Sequence, residues 1–347
     1  MDRFSQLESQ RDWQTLSEEL EKAIAQESDG AVKSALFLRL GRVYENKFLA
    51  GAKALKLYQD AYKAQSSNVE SLAAARSVYW DLGKLNMVQK LVELELKSNP
   101  HEEYACEILA ELADVHFDLG EIEKATSTYA RALSVSGGKS KAARSGLEDV
   151  QVDSASWQEH VGAILRTADA MENGEEKAKL YLRAARVTRR FAPEAVESQL
   201  SKAYAASPSN RQAAATFEGM LAENNRLDEL EAAQTEILTN TSDRKLRSDH
   251  ALTFARRWIQ RHQNVEVGTR LLEAALRLDS SNDAPILYLR EHARKTENSG
   301  LALGLAEEAA TQATDPSLKA FYVAQAGVIA WKDAQDLLRA RTWFDQL

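Results

Sequence analysis

Three short stretches of the chain carry residue types that can do chemistry. Gly138-Lys139-Ser140 matches the close of a phosphate-binding loop, where backbone N–H groups cradle phosphates and a lysine reaches across them. The full motif needs a glycine five places before Gly138 and a preceding strand. Leu133 stands at that place, and the sequence before it reads as helix, so a turn between repeats explains these residues. His101-Glu102-Glu103-Tyr104-Ala105 begins like a zinc-protease helix, but Ala105 holds the place of the second histidine. His116, His160, His250, His262 and His292 are scattered singly, and His116 reads as a hydrogen-bonded, half-buried side chain. Cys106 is the sole cysteine, which excludes an internal disulfide. Glu107 and Glu111 lie one helical turn apart and would act as acid and base only in a concave, water-poor site. No metal, cofactor or catalytic set emerges. The chain reads as non-enzymatic, with an enzyme using a groove carboxylate as the low-ranked alternative.

The elements that must position these residues are helices. Charged residues make up 28% of the 347, and only five prolines serve the whole chain, too few turn residues for a loop-rich β fold. A net charge of −8 lacks the basic stripe that nucleic-acid binding requires. No run of eighteen apolar residues is present to span a membrane. The opening Met1-Asp2-Arg3-Phe4-Ser5 leads into polar residues and not into a secretory leader, which gives a cytoplasmic expectation.

The chain repeats itself. A small residue follows an apolar one four places on in Phe37/Gly41, Leu109/Ala113, Leu180/Ala184, Ala251/Ala255 and Val323/Gly327, and the small residues stand 72, 71, 71 and 72 apart. Each of the first four is followed by a triplet spaced by four and three: Ala54-Tyr58-Ala61, Ala125-Tyr129-Ala132, Val196-Leu200-Ala203 and Val267-Leu271-Ala274. Such spacing puts residues on one helix face. Each unit therefore reads as a helix with a notch, a turn, and a second helix whose stripe fills the notch. Weaker units alternate with these, opened by Trp13, Leu85, Trp157 and Leu227 and anchored at Leu72, Ala214 and Leu287. Gly83, Gly120 and Asn225 mark turns within pairs; Asn99-Pro100, Ser207-Pro208 and Asp315-Pro316 mark breaks between pairs. A hairpin of roughly 36 residues cannot bury its apolar face alone, so neighbours stack into a superhelix.

The segment Leu109-x-x-Leu112-Ala113-x-x-His116-x-x-x-Gly120-x-x-x-x-Ala125-x-x-x-Tyr129-x-x-Ala132 resembles a tetratricopeptide (TPR) repeat. Leu40-Gly41-x-x-Tyr44 with Ala54, Tyr58 and Ala61 is similar. The alternation with short Trp-x-x-Leu helices resembles large TPR proteins of gliding and predatory bacteria. Arg76, Glu218 and Glu291 depart from the pattern at the notch. The resemblance implies an all-α fold: a right-handed α-solenoid of antiparallel hairpins over residues 1–347, about nine pairs, with an N-terminal half-repeat in 1–30. A degenerate repeat in 137–175 would be the place for a bend between halves.

The resemblance also implies that first helices line a concave groove. Carried onto this sequence, its amino-terminal half presents Glu45, Trp80, Asp81, Asp114, Phe117 and Asp118, an acidic surface with two aromatics. Its carboxy-terminal half presents Tyr181, Arg189, Arg256, Tyr288 and Trp331, mixed to basic. The expected function is a scaffold for partner proteins or peptides, with a basic, extended segment in the acidic half. The alternative is a docking or regulatory region of a larger motility, secretion or signalling assembly. No polar cap follows Trp343-Phe344, so the carboxy-terminal face around Trp331, Trp343, Phe344 and Leu347 is expected to be covered by further repeats or by a second copy.

Overall fold

A computed structural model describes residues 2–98, 100–172 and 174–347 of the chain; Asn99, from the expected Asn99-Pro100 break, lies outside them. The described residues form helices without strands. In chain order these are α1 (Arg3–Ser9), α2 (Trp13–Gln26), α3 (Gly30–Asn46), α4 (Gly51–Ala64), α5 (Val69–Asp81), α6 (Leu85–Lys97) and α7 (Glu102–Asp118). Then follow α8 (Ile122–Val135), α9 (Lys141–Gln151), α10 (Trp157–Asp169), α11 (Glu175–Phe191), α12 (Glu197–Ala206), α13 (Arg211–Glu223) and α14 (Leu227–Asn240). The last are α15 (Arg244–Gln260), α16 (Val265–Leu278), α17 (Ala284–Lys295), α18 (Ser299–Gln312), α19 (Pro316–Val328) and α20 (Leu337–Phe344). A short 3₁₀ turn (Pro193–Ala195) precedes α12, and a π-turn (Ile329–Asp333) follows α19.

Local sequence sets the boundaries. Asp2, Asp12, Asp29, Ser140, Asn210, Asp243, Asn264, Asp315 and Asp336 cap helix N-termini by accepting backbone N–H bonds that the first turn leaves free. Most odd-numbered helices are joined by a tight turn to the even-numbered helix that follows, whereas α9 packs on α8 and α10 on α11. The turns of eight such pairs pass through the left-handed region, at Arg11, Leu49, Gly83, Gly120, Asn225, Gln263, Glu297 and Gln335, all with φ between 51° and 75°. The three turns expected from Gly83, Gly120 and Asn225 are thus present. Five more use residues for which this backbone is costly, which is why the sequence did not announce them.

The strong hairpins fall where the 72-residue period puts them: α3 with α4, α7 with α8, α11 with α12, and α15 with α16. Ala54, Tyr58 and Ala61 are buried, as are Ala125, Tyr129 and Ala132. Gly41 is a true notch, because a Cβ there would stand 2.4 Å from the Tyr58 ring. The fourth triplet is displaced by one residue: in α16 the buried stripe is Val267, Leu272, Ala275 and Leu276, while Leu271 and Ala274 are half-buried. Two of the charged notch residues also have an explanation. Arg76 fills its place as part of a polar cluster, bonded to Glu95 at 2.8 Å, to Glu111 and to Tyr104. Glu218, fully buried, accepts the Tyr204 hydroxyl at 2.9 Å. His116 makes the expected hydrogen bond, its Nδ1 2.6 Å from Glu121, but is buried and not half-buried. The architecture of the described residues is therefore all-α, built of TPR-like helix hairpins packed on their chain neighbours.

The chain divides into two compact units, Met1–Ser71 with Gln234–Leu347, and Leu72–Ala233. In the first, Leu16, Leu20, Leu40 and Val43 form one core, and Leu272, Ile286, Leu303, Tyr322 and Ile329 belong to another that takes in Leu49. Its two segments are joined by Asp283. This carboxylate is fully buried and accepts from Trp13 Nε1 and Lys47 Nζ, each at 2.6 Å, and from Arg11 Nη1 at 3.1 Å. In the second unit, Trp80, Val92, Ile108 and Leu112 pack with Ala215 of α13, and Phe117, Tyr129, Val161 and Val187 pack together.

Candidate functional site

Within the second unit, first helices line a cleft of about 630 Å³. Helix α5 contributes Arg76, Ser77 and Trp80; α7 contributes Glu107, Ala110, Glu111 and Asp114. Steps of three and four, Arg76 and Ser77 to Trp80 and Glu107 to Ala110, Glu111 and Asp114, let each helix turn one stripe to the cleft. Helix α11 adds Glu175 and Lys179, and Ser209, Asn210, Arg211 and Gln212 add the entry to α13. Of the residues expected in the groove, Trp80 and Asp114 are there, and Asp81 sits at its margin through Arg211.

The carboxylates of this wall are answered by the chain itself. Arg211 Nε stands 3.7 Å from Asp81. Arg186 of α11, 4% exposed, lies 3.0 Å from Asp114 and 3.2 Å from Asp118, and Arg189 lies 3.1 Å from Asp118. Asp114 also accepts from the Tyr129 hydroxyl and from Gln212 Nε2 at 3.3 Å. Burial raises the Asp114 pKa above the usual carboxylate value, and the Arg186 guanidinium opposes that rise. Glu111 accepts from Arg76 and from Trp80 Nε1. Tyr104, beside Arg76, has its pKa pushed up to about 12 by burial and by Glu95. Glu175 accepts from Asn210 at 2.7 Å and from Ser207 at 3.2 Å. Glu107 is exposed and makes no ion pair among the described residues.

Several expectations change in this light. Trp80 and Phe117 are core residues, 4% and 3% exposed, and not aromatics standing free amid charge. Ala215 of α13 covers Trp80, leaving part of the residue on the cleft, while Phe117 faces the α10–α11 core. Glu45, Asp81, Asp114 and Asp118 do not make one open acidic face. Glu45 belongs to the first unit, where it accepts the Tyr58 hydroxyl, and the other three are paired as described. Tyr181 is buried and donates to Asp169, its pKa pushed up to about 12 by burial and that carboxylate. Arg189 serves Asp118.

In the first unit Arg256 is half-buried, with an Nε that has no hydrogen-bond partner among the described residues. Tyr288 is half-buried and stacks on His292 with centroids 6.4 Å apart. Trp331 is half-exposed on the π-turn, with the Lys332 ammonium 5.1 Å from its ring. Among the described residues, no cluster of histidine, cysteine or carboxylates suits a metal ion, and no helix is long and apolar enough to cross a membrane.

Sequence reasoning missed Arg76, Lys179, Arg211 and Gln212 as cleft residues. Arg76 left a signal, a charge where the notch wants a small residue. The α13 residues left none, because only tertiary packing brings them to α5 and α7.

No family profile matches the sequence, and no curated protein matches it. Among solved structures the chain is similar to the TPR domain of P58(IPK), at 12% identity over 99% of this chain and 96% of that one, with a TM-score of 0.27. It is similar to yeast Tom70 at 12% identity over 98% and 97%, with a TM-score of 0.25. It is also similar to the human IFIT1 dimer with PPP-AAAA, at 12% identity over 97% of this chain and 68% of that one, with a TM-score of 0.27. In a monomeric IFIT1 mutant the share covered is 66% of that chain, so this chain spans about two thirds of IFIT1. The architecture stated above rests on the chain's own helix pairing.

Proposed function

We propose that the protein is a non-catalytic interaction scaffold that takes an extended, basic segment of a partner protein in the cleft between α5, α7 and α13. The observation that carries this is Glu107, exposed on the α7 wall of the cleft and without an ion pair among the described residues, beside the already paired Glu111, Asp114 and Glu175. Ala73, Ser77, Ala110 and Ala142 line the same cleft with small side chains and leave room for a main chain to approach. Arg211 already brings a guanidinium to this wall, so the chemistry suits lysine and arginine side chains. Opposite charge speeds encounter and fixes orientation.

The test is a titration of the protein with twelve-residue peptides of graded charge. Basic peptides should bind, and their affinity should fall as salt rises. Glu107→Lys should weaken them without unfolding the chain. Equal binding of acidic and basic peptides would contradict the proposal.

A second reading, a docking region of a larger assembly, is favoured by apolar exposure near α20. Leu337 is 67% exposed, Leu338 83% and Leu347 66%, beside half-exposed Trp331. Apolar surface of this kind marks contact with a further repeat or a second copy. Sedimentation of Leu338→Glu against wild type distinguishes these. Self-association lost in the variant supports a second copy; a wild type that is monomeric, and that binds no added repeat fragment, counts against the docking reading.

A further inference from the structure

A cavity of about 1140 Å³ lies within the first unit, between the α1–α2 and α3–α4 turns on one side and α17 and α19 on the other. Its walls are pinned. Asp283 ties Arg11, Trp13 and Lys47 to the start of α17, and the Leu49 carbonyl accepts from Gln260 Nε2 at 2.7 Å. The lining divides by chemistry. Tyr44 and Phe48, with ring centroids 5.2 Å apart, line one side, and Tyr288 and Phe321 line the other. Five basic residues line the cavity (Arg11, Arg290, Arg294, Lys295 and Lys332) against two acidic ones, Asp12 and Glu291.

Some of that positive charge is already answered. Arg290 and Arg294 share Asp333 at 2.8 and 2.7 Å, and Arg11 is bound to Asp283. Lys295 is 71% exposed and only loosely paired with Glu291 at 3.5 Å, and Lys332 makes no ion pair among the described residues. Two poorly neutralised ammonium groups therefore stand at a cavity walled by aromatic rings. Small-molecule sites have this make-up, mostly apolar walls with a few convergent polar groups.

We propose that this cavity binds a small amphipathic organic anion: a flat apolar body among Tyr44, Phe48, Tyr288 and Phe321, with a carboxylate or phosphate at Lys295 and Lys332. The site is separate from the peptide cleft. It lies in the other unit, prefers the opposite charge, and takes a small molecule.

Calorimetric titration of the whole chain with 2-naphthyl phosphate, 2-naphthoate and the neutral 2-naphthamide tests the proposal. Both anions should bind, whichever is tighter identifying the preferred head group, and the amide should bind about tenfold more weakly or less. Lys295→Ala and Lys332→Ala should each weaken the anions about three- to fivefold, as expected for loss of one partly exposed charge partner. Tyr288→Ala, with its helix content verified, should lose more than either. Lys179→Ala, in the other unit, should change nothing, and the basic-peptide titration should be unaffected by the Lys295 and Lys332 variants. The proposal is overturned if neither anion binds at about 1 mM, near the weak limit of specific affinity. It is equally overturned if the amide matches the anions, or if removing both lysines leaves anion binding unchanged.

Discussion

Replacing Arg186 by methionine should cost about 3 kcal/mol at neutral pH, the lower end of what breaking a buried ion pair costs. Arg186 ties α11 to α7 through Asp114 at 3.0 Å and Asp118 at 3.2 Å, and reaches Gln212 of α13 at 3.1 Å. Methionine keeps much of the volume and removes the charge. The lower end applies because neither carboxylate is abandoned: Asp118 keeps Arg189 at 3.1 Å, and Asp114 keeps Tyr129 and Gln212. The variant also carries a pH signature. Burial already raises the Asp114 pKa, and Arg186 opposes the rise, so its removal raises that pKa further. A carboxyl whose folded pKa lies above its unfolded value holds its proton more tightly when folded. Stability then falls as pH rises from the unfolded value through the folded one. Arg186→Met should therefore be closer to wild type near pH 4, toward the ordinary carboxylate range, than at pH 7. Urea unfolding at both pH values reads the effect, with hydrogen exchange in α7 and α11 locating it. A loss below about 1 kcal/mol at pH 7, the size of an ordinary substitution, would refute this reasoning. An equal loss at both pH values would refute the role given to Asp114.

Two further variants probe the repeat geometry. Gly41→Ala would set a Cβ 2.4 Å from the Tyr58 ring, and overpacking of this kind should destabilise by about 1–3 kcal/mol in urea unfolding, with Tyr58→Leu restoring part of the loss. Glu297 is exposed at φ 55° in the α17–α18 turn, so Glu297→Gly should stabilise by about 0.5–1 kcal/mol, read as a raised thermal midpoint.

The fold was legible because its signals are local. Phe37/Gly41 with Ala54-Tyr58-Ala61 announces a notch and the ring that fills it, and the 72-residue period places every strong hairpin. The slip in α16 escaped because Leu271 and Leu272 are equally apolar, and periodicity alone does not choose between adjacent leucines. The cleft was legible in part. First-helix spacing put Trp80 and Asp114 on its wall, yet the same spacing carried no information about what faces them. Arg186 and Arg211 lie 72 and 130 residues beyond Asp114 and Asp81, too far for a pattern within one repeat to pair them. Trp80 was misjudged for the same reason, since Ala215 covers it from α13. The turns at Leu49, Gln263 and Glu297 were silent because a left-handed residue that is not glycine or asparagine leaves no mark in sequence.

The central claim is that α5, α7 and the entry to α13 hold a basic segment. Hydrogen-exchange footprinting of the whole chain, with and without a saturating lysine- and arginine-rich peptide, tests it most directly. Added protection should concentrate along α5, over residues 106–114 of α7 and at the first turn of α13, and should be reduced in Glu107→Lys. Protection confined to other helices, or none despite measured binding, would contradict the claim.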